Sequence, residues 1–307
     1  MNKVIAIVGP TAVGKTALSI RLAQAENGEV ISGDSMQVYR HLDIGTAKVT
    51  PAEMAGIPHH LIDICTVDER YSAARFKAAA SQWIADITAR GRLPIIAGGT
   101  GFYLQALTEN LALGSDHFDD QSAAIRQHWN QVAAAKGNDY LWHHLAKIDP
   151  AASQQIPVGN RRRLIRAIEV VEKTGRPFSS QPQSAPQDDF LLIGLNTARP
   201  VLYQRINQRV DQMMDQGLEQ EARWLYDQGG ADLPAGKGIG YHEFFPYFRG
   251  EVTRDAAIAK VKQDSRHYAK RQLTWFRNQM PVHWFDLVSG QDRVEDIKAF
   301  VDDWLRK

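Results

Sequence analysis

The chain has 307 residues, 44% of them hydrophobic, enough to bury one large core or a core plus a smaller appended domain. Its formal net charge is only +1, which excludes a global positive field as the means of drawing in a polyanion, so any nucleic-acid contact must come from local basic patches. The single cysteine, Cys65, excludes an internal disulfide and a cysteine-based zinc site. With neither a signal-peptide profile nor a membrane-length apolar run, a soluble cytoplasmic protein with no membrane partner is expected.

Residues 3–8 (KVIAIV) form a short apolar run suited to a buried parallel strand. It ends in Gly9-Pro10-Thr11-Ala12-Val13-Gly14-Lys15-Thr16, and a helical pattern then covers 15–25. The octet fits the strand–GxxxxGK(S/T)–helix phosphate loop in full, with the flanking elements where they must be. Glycines let backbone wrap closely around phosphate oxygens, and the next helix aims its amides and positive dipole end at the anion. Lys15 supplies a mobile charge, and the Thr16 hydroxyl can ligate Mg²⁺. The loop implies a pyrophosphate-like anion bound by residues 9–16, but not which reaction follows. ATP or GTP chemistry is the generic expectation, with nucleoside and nucleotide kinases as rivals.

A second strand is expected at 29–34 and a third at 60–64. A helix follows over 73–90, with Phe76, Ala80, Trp83 and Ile87 on one face, and Gly91 closes it. Residues 93–97 (LPIIA) make a fourth strand ending in Gly98-Gly99-Thr100-Gly101. This alternation predicts an α/β fold with a three-layer parallel sheet of the P-loop NTPase-like kind, binding ligands at the strands' carboxyl ends. From 114 the alternation stops, and 114–188 is helical in pattern, closing on a Pro/Ser/Gln-rich stretch at 177–187. Residues 190–195 (FLLIGL) resume the sheet, and helices are expected at 201–216, 218–228, 255–278 and 293–306. A discontinuous catalytic core, 1–113 and 189–307, would thus be interrupted by a helical insertion domain, 114–188. Within the insertion, 160–174 reads as an amphipathic helix with Asn160 as N-cap and a stripe of Leu164, Ile168 and Val171. Arg162 and Arg166 share a face one turn apart, with Arg161 and Arg163 adding charge; a solvated face is the plain alternative.

Five strings carry a resemblance: the phosphate loop, Asp34-Ser35-Met36-Gln37-Val38-Tyr39 with Asp43-Ile44-Gly45-Thr46-Ala47-Lys48, Gly98 to Leu104, Gly238-Ile239-Gly240-Tyr241, and Tyr268 to Arg277. In order and across nearly the whole chain they resemble the tRNA dimethylallyltransferase (tRNA isopentenyltransferase, IPP transferase) family of bacterial type. The resemblance implies transfer of a five-carbon allylic group from dimethylallyl diphosphate to N6 of the adenosine next to the anticodon, releasing pyrophosphate, with Mg²⁺. The loop would then grip a leaving group rather than an ATP. Asp34, at a strand's carboxyl end, is the expected general base, because an adenine amine is a poor nucleophile that a carboxylate can orient and deprotonate. A magnesium-associated aspartate, as in kinases, is the alternative. Thr100 matches the donor to the bridging oxygen. Arg209 matches a family arginine reaching the diphosphate, with Arg205 one turn away. The tRNA anticodon stem-loop would be held by Asp34, Ser35, Met36, Gln37, Gly238, Gly240 and Tyr241 around an extruded adenine. Arg162, Arg163, Arg166, Lys270 and Arg271 would act on phosphates.

One family arginine falls on either Ala124 or Arg126, and its role is not carried over. The lone cysteine leaves no place for the zinc-binding extension of eukaryotic members. A monomer is expected. Three alternatives remain open: an adenylate isopentenyltransferase acting on free AMP or ATP, a P-loop small-molecule kinase, and a non-catalytic RNA-binding module.

Overall fold

Five consecutive residues of β1 (Lys3–Val8), Val4 to Val8, are completely buried, which requires cover on both faces of the strand. Successive side chains point to opposite faces. Val4, Ala6 and Val8 accordingly join Phe76, Ile84, Tyr103 and Phe276 in one core layer, while Ile5 and Ile7 join Leu18, Leu22, Leu202, Ile206 and Ile297 in the other. The protein is described as a computed structural model over residues 1–113, 120–180 and 185–307.

In chain order β1 is followed by α1 (Lys15–Ala25), β2 (Gly28–Ser32), α2 (Pro51–Met54), β3 (His59–His60), α3 (Ala73–Ala89), β4 (Leu93–Ala97) and α4 (Gly101–Thr108). Next come α5 (Asp120–Ile148), α6 (Pro150–Gln155) and α7 (Arg161–Thr174). The chain closes with β5 (Asp189–Leu195), α8 (Arg199–Gln216), α9 (Leu218–Asp227), α10 (Phe245–Phe248), α11 (Arg254–Gln279), β6 (His283–Phe285) and α12 (Val294–Arg306). The six strands form one parallel sheet in the order β3-β2-β4-β1-β5-β6. The chain divides into two compact units, Met1–Asn110 with Pro186–Lys307, and Leu111–Ala185.

Several expected boundaries shift for local reasons. The third strand, expected at 60–64, is only His59–His60, because Leu61 (φ 62) and Asp63 (φ 56) turn the chain into the left-handed region. β2 ends at Ser32 instead of 34: a Cβ on Gly98 would lie 2.3 Å from Gly33 O, so the β2 and β4 ends approach backbone to backbone and Asp34 falls just beyond the strand. α4 is an unexpected helix. Tyr103, Leu104, Ala106 and Leu107 bury it on several sides, so it carries no one-sided stripe. β6 is three residues long, too short for alternation to register.

The second unit is helical. Its core combines Trp129, Leu141 and Leu145 of α5 with Leu164, Ile165, Ala167 and Ile168 of α7; Val170, rather than the expected Val171, is buried. Asn160 caps α7 as expected, accepting the Arg163 N–H, and Gly137 (φ 80) kinks α5. The expected start of the insertion, at 114–119, and part of the 177–187 stretch, at 181–184, lie outside the described residues.

At the centre of this unit Glu169 is completely buried, with Arg126 Nε at 2.7 Å and Arg166 Nη1 at 3.0 Å. Burial alone would raise its pKa, but the two guanidinium groups outweigh that and hold it below the usual carboxylate value. Its contribution is therefore present above the usual glutamate pKa and lost as pH falls through the lowered one. Glu169→Ala is expected to destabilise this unit by about 1–3 kcal/mol, read by urea denaturation of the full chain. An unchanged midpoint would show the cluster to be dispensable.

Candidate active site

The phosphate loop occupies residues 9–16 between β1 and α1, at the carboxyl edge of the sheet. Gly9 has φ 140, and a Cβ there would lie 2.3 Å from Leu195 O of β5; Gly14 has φ 105 and Ala12 φ 65. Only glycine takes the first position without displacing β5. No side chain caps α1, so its first amides face the loop's hollow, the arrangement that receives an anion. The loop is braced from outside: Arg205 Nε donates to Ala12 O at 2.9 Å, Thr11 N–H to Gln272 Oε1 at 3.0 Å, and Gln272 Nε2 to Gly99 O at 3.0 Å.

Lys15 Nζ folds back on Pro10 O at 2.6 Å. Its pKa is lowered to about 8, chiefly by burial and then by the Arg209 charge, with Asp34 opposing both. Burial likewise pulls Arg209 down, with Asp34 and Glu53 opposing. Two cations are therefore crowded beside one carboxylate, and a bound polyanion would relieve both. Asp34 Oδ1 accepts the Met36 N–H at 2.8 Å, which fixes the carboxylate; among the described residues Oδ2 has no protein hydrogen-bond donor. Thr100 Oγ1 accepts the Ser35 N–H at 3.0 Å and donates to Ser35 Oγ at 3.3 Å. Tyr268 lies against Asp34, Thr100 and Gln272, and burial pushes its phenol up. Thr11 to Thr16 of the loop, Asp34, Arg209, Tyr268 and Arg271 line one cavity of about 1540 Å³.

Of the residues expected from sequence, Lys15, Thr16, Asp34, Ser35, Met36, Arg209, Gly238 and Gly240 line this cavity. Others depart. Tyr241 is completely buried: its hydroxyl donates to Glu221 Oε1 at 2.7 Å, and Gly45 is packed so closely that a Cβ would lie 2.6 Å from the ring. It is a core residue that joins the 43–48 and 238–241 strings, not a surface contact. Gln37 lines the cavity, but its carboxamide accepts from Ser32 Oγ at 2.9 Å and donates to Thr46 O and Ala47 O, so it is not free for a base edge. Arg166 is half-buried against Glu169 and Leu113 O, unlike the exposed Arg162 and Arg163. Lys270 and Arg271 face different hollows: Arg271 the large cavity, Lys270 a cleft with Arg199, Thr274 and Arg277. Arg126, one of two positions for the unmatched arginine, pairs with Glu169.

Sequence reasoning missed Gln272 and Glu221. Gln272 sits in the buried stripe of α11 with Ala269 and Phe276, and a polar residue within an apolar period is the signal that could have found it. Glu221 accepts the N–H groups of Asp43, Ile44 and Gly45, contacts that no local pattern announces.

A phosphate loop joining the first strand of a parallel sheet to its helix, with a cavity at the carboxyl ends, defines a P-loop-type α/β protein. The family model described as IPP transferase matches residues 37–279, and the chain belongs to that family. It is 67% identical over 307 residues to a tRNA dimethylallyltransferase of Limosilactobacillus reuteri, covering 100% of both chains. A solved tRNA delta(2)-isopentenylpyrophosphate transferase from Staphylococcus epidermidis superposes with a TM-score of 0.73 at 43% identity, covering 100% of this chain and 99% of that one. A eukaryotic dimethylallyltransferase acting on tRNA gives a TM-score of 0.84 at 30% identity, covering 100% of this chain and 80% of that one. Among the described residues no helix is long and apolar enough to cross a membrane.

Proposed function

We propose that this chain is a tRNA dimethylallyltransferase, moving the dimethylallyl group of dimethylallyl diphosphate to N6 of the adenosine next to the anticodon and releasing pyrophosphate. One observation carries the reading: Lys15, Arg209 and Asp34 converge at a single phosphate loop, two cations for a departing diphosphate and one carboxylate for an incoming amine. The adenine N6 lone pair is delocalised into the ring. Asp34 Oδ2 takes the N6 proton as the new C–N bond forms and the allylic C–O bond breaks. Lys15, Arg209 and the first amides of α1 receive the negative charge that develops on the leaving diphosphate. Thr100 keeps the Ser35 N–H and turns its own hydrogen from Ser35 Oγ toward the bridging oxygen.

Thr16 is exposed at the first turn of α1 beside the loop. One neutral protein oxygen suits Mg²⁺, which keeps most of its shell as substrate phosphate oxygens and water. Such an ion would offset diphosphate charge.

The adenine leaves its stack to reach Asp34, and Ser35, Met36, Gly238 and Gly240 border the place it enters. Arg162 and Arg163, exposed on α7 of the helical unit, and Lys270 and Arg271 on α11 take tRNA phosphates, which position the RNA without reading it. The Arg162→Ala/Arg163→Ala pair is expected to weaken tRNA binding and to reduce the slope of log affinity against log salt by about 1–2. An unchanged slope would remove these residues from the interface. The tRNA substrate makes the cytoplasm the place of action, and each chain, holding a whole loop and base, acts as a monomer.

The test of the activity is incubation with Mg²⁺, labelled dimethylallyl diphosphate, and either unmodified tRNA or AMP. Label is expected in tRNA. Label confined to AMP would make the enzyme an adenylate isopentenyltransferase, and label in neither, with ATP turnover, a kinase.

A further inference from the structure

His242 and Asp264 line the same cavity, and with the buried Glu243 they join the 238–243 turn to α11. His242 Nδ1 lies 2.9 Å from Gly238 O. A carbonyl only accepts, so in the neutral ring Nδ1 carries the hydrogen and Nε2 presents its lone pair. Nε2 faces Glu243 Oε1 at 3.5 Å and Asp264 Oδ2 at 3.9 Å. The Glu243 side chain is completely buried; Oε2 accepts the Gly240 N–H at 2.9 Å, while Oε1 has no hydrogen-bond partner among the described residues. An unpartnered buried carboxylate oxygen is costly and calls for a counterpart. Among the described residues, Lys260 and His267 pair with the far oxygen of Asp264, Lys260 Nζ at 2.7 Å from Oδ1 and His267 Nδ1 at 3.9 Å from that same oxygen, so that besides the His242 ring no basic group faces Glu243 Oε1 or Asp264 Oδ2.

We propose that His242 Nε2, Glu243 Oε1 and Asp264 Oδ2 form a binding site for a divalent transition-metal ion of the zinc, manganese or cobalt type. Two ligands about 2.1 Å from a tetrahedral ion stand about 3.4 Å apart, and the three atoms here all lie within 4.8 Å of one another. A small side-chain movement closes the set. The imidazole selects this class over Mg²⁺, which prefers oxygen and water. The Gly238 carbonyl fixes the imidazole from behind, the arrangement that orients histidine ligands at metal sites. The ion would pin the turn bearing Gly238 and Gly240 to α11, with at least one coordination position open to water or an anionic oxygen. The site stands on its own residues and does not depend on the activity proposed above.

The experiment is a Co²⁺ titration of the chelator-stripped full-length protein, followed by calorimetry and by the visible d–d absorption that reports coordination geometry, with excess Mg²⁺ present throughout. One Co²⁺ equivalent with a d–d band is expected in the wild type and in Lys15→Ala. His242→Ala and Glu243→Gln should each weaken that binding by about tenfold or more. The half-exposed ring of His242 makes its loss safe for folding. Absence of Co²⁺ binding in the wild type, or equal binding in His242→Ala, would overturn the proposal.

Discussion

Replacing Asp34 with asparagine is expected to lower turnover by about 10²–10⁴-fold while leaving tRNA affinity nearly unchanged. Asparagine keeps the acceptor that holds the Met36 N–H at 2.8 Å, so the turn after β2 stays in place. It cannot take a proton. The loss falls on the step in which N6 gains a bond to carbon and must shed a hydrogen, and so appears in kcat. Removing one negative charge beside Lys15 and Arg209 would, if anything, tighten diphosphate binding. Loss of tRNA affinity with an unchanged rate at saturation would assign Asp34 to binding instead.

Lys15→Ala is the second large effect. Loss of one preorganised donor to the leaving oxygens corresponds to about 10²–10³-fold in rate, roughly 3–4 kcal/mol. The lysine also predicts a pH dependence. Its pKa is lowered to about 8 by burial and by Arg209, so the free enzyme carries this charge below that value and loses it above. Accordingly kcat/KM for the diphosphate substrate should fall as pH rises through about 8, since that parameter reports ionisations of the free enzyme. Lys15→Arg, permanently charged, should abolish the falling limb even at reduced overall activity. A limb that persists in Lys15→Arg belongs to another group.

What is legible in this sequence is what local spacing controls. The phosphate loop is an octet between two adjacent elements, and its glycines answer constraints within a few residues, so it reads directly. Buried parallel strands such as β1 are continuous apolar runs and read as easily. The places where reading falls short are contacts between distant segments. Tyr241 stands in a conspicuous glycine-flanked string yet is buried against Gly45 and Glu221. The arginine run of α7 is uniform in sequence, but Arg166 is drawn inward by Glu169, one turn along the helix, while Arg162 and Arg163 remain in solvent. The Gln37 carboxamide is bound up by a loop about ten residues on. In each case the motif marks a position near the site, and only the tertiary fold says whether the side chain faces the ligand or supports what does.

The most direct test is a crystal structure of the protein with an anticodon stem-loop and a non-reactive thiolo analogue of dimethylallyl diphosphate. It should place the diphosphate in the loop of residues 9–16, between Lys15 and Arg209, with the adenine N6 within hydrogen-bond reach of the Asp34 carboxylate. An Asp34 turned from that nitrogen, or an analogue bound elsewhere with the loop holding a nucleoside triphosphate, would contradict the assignment.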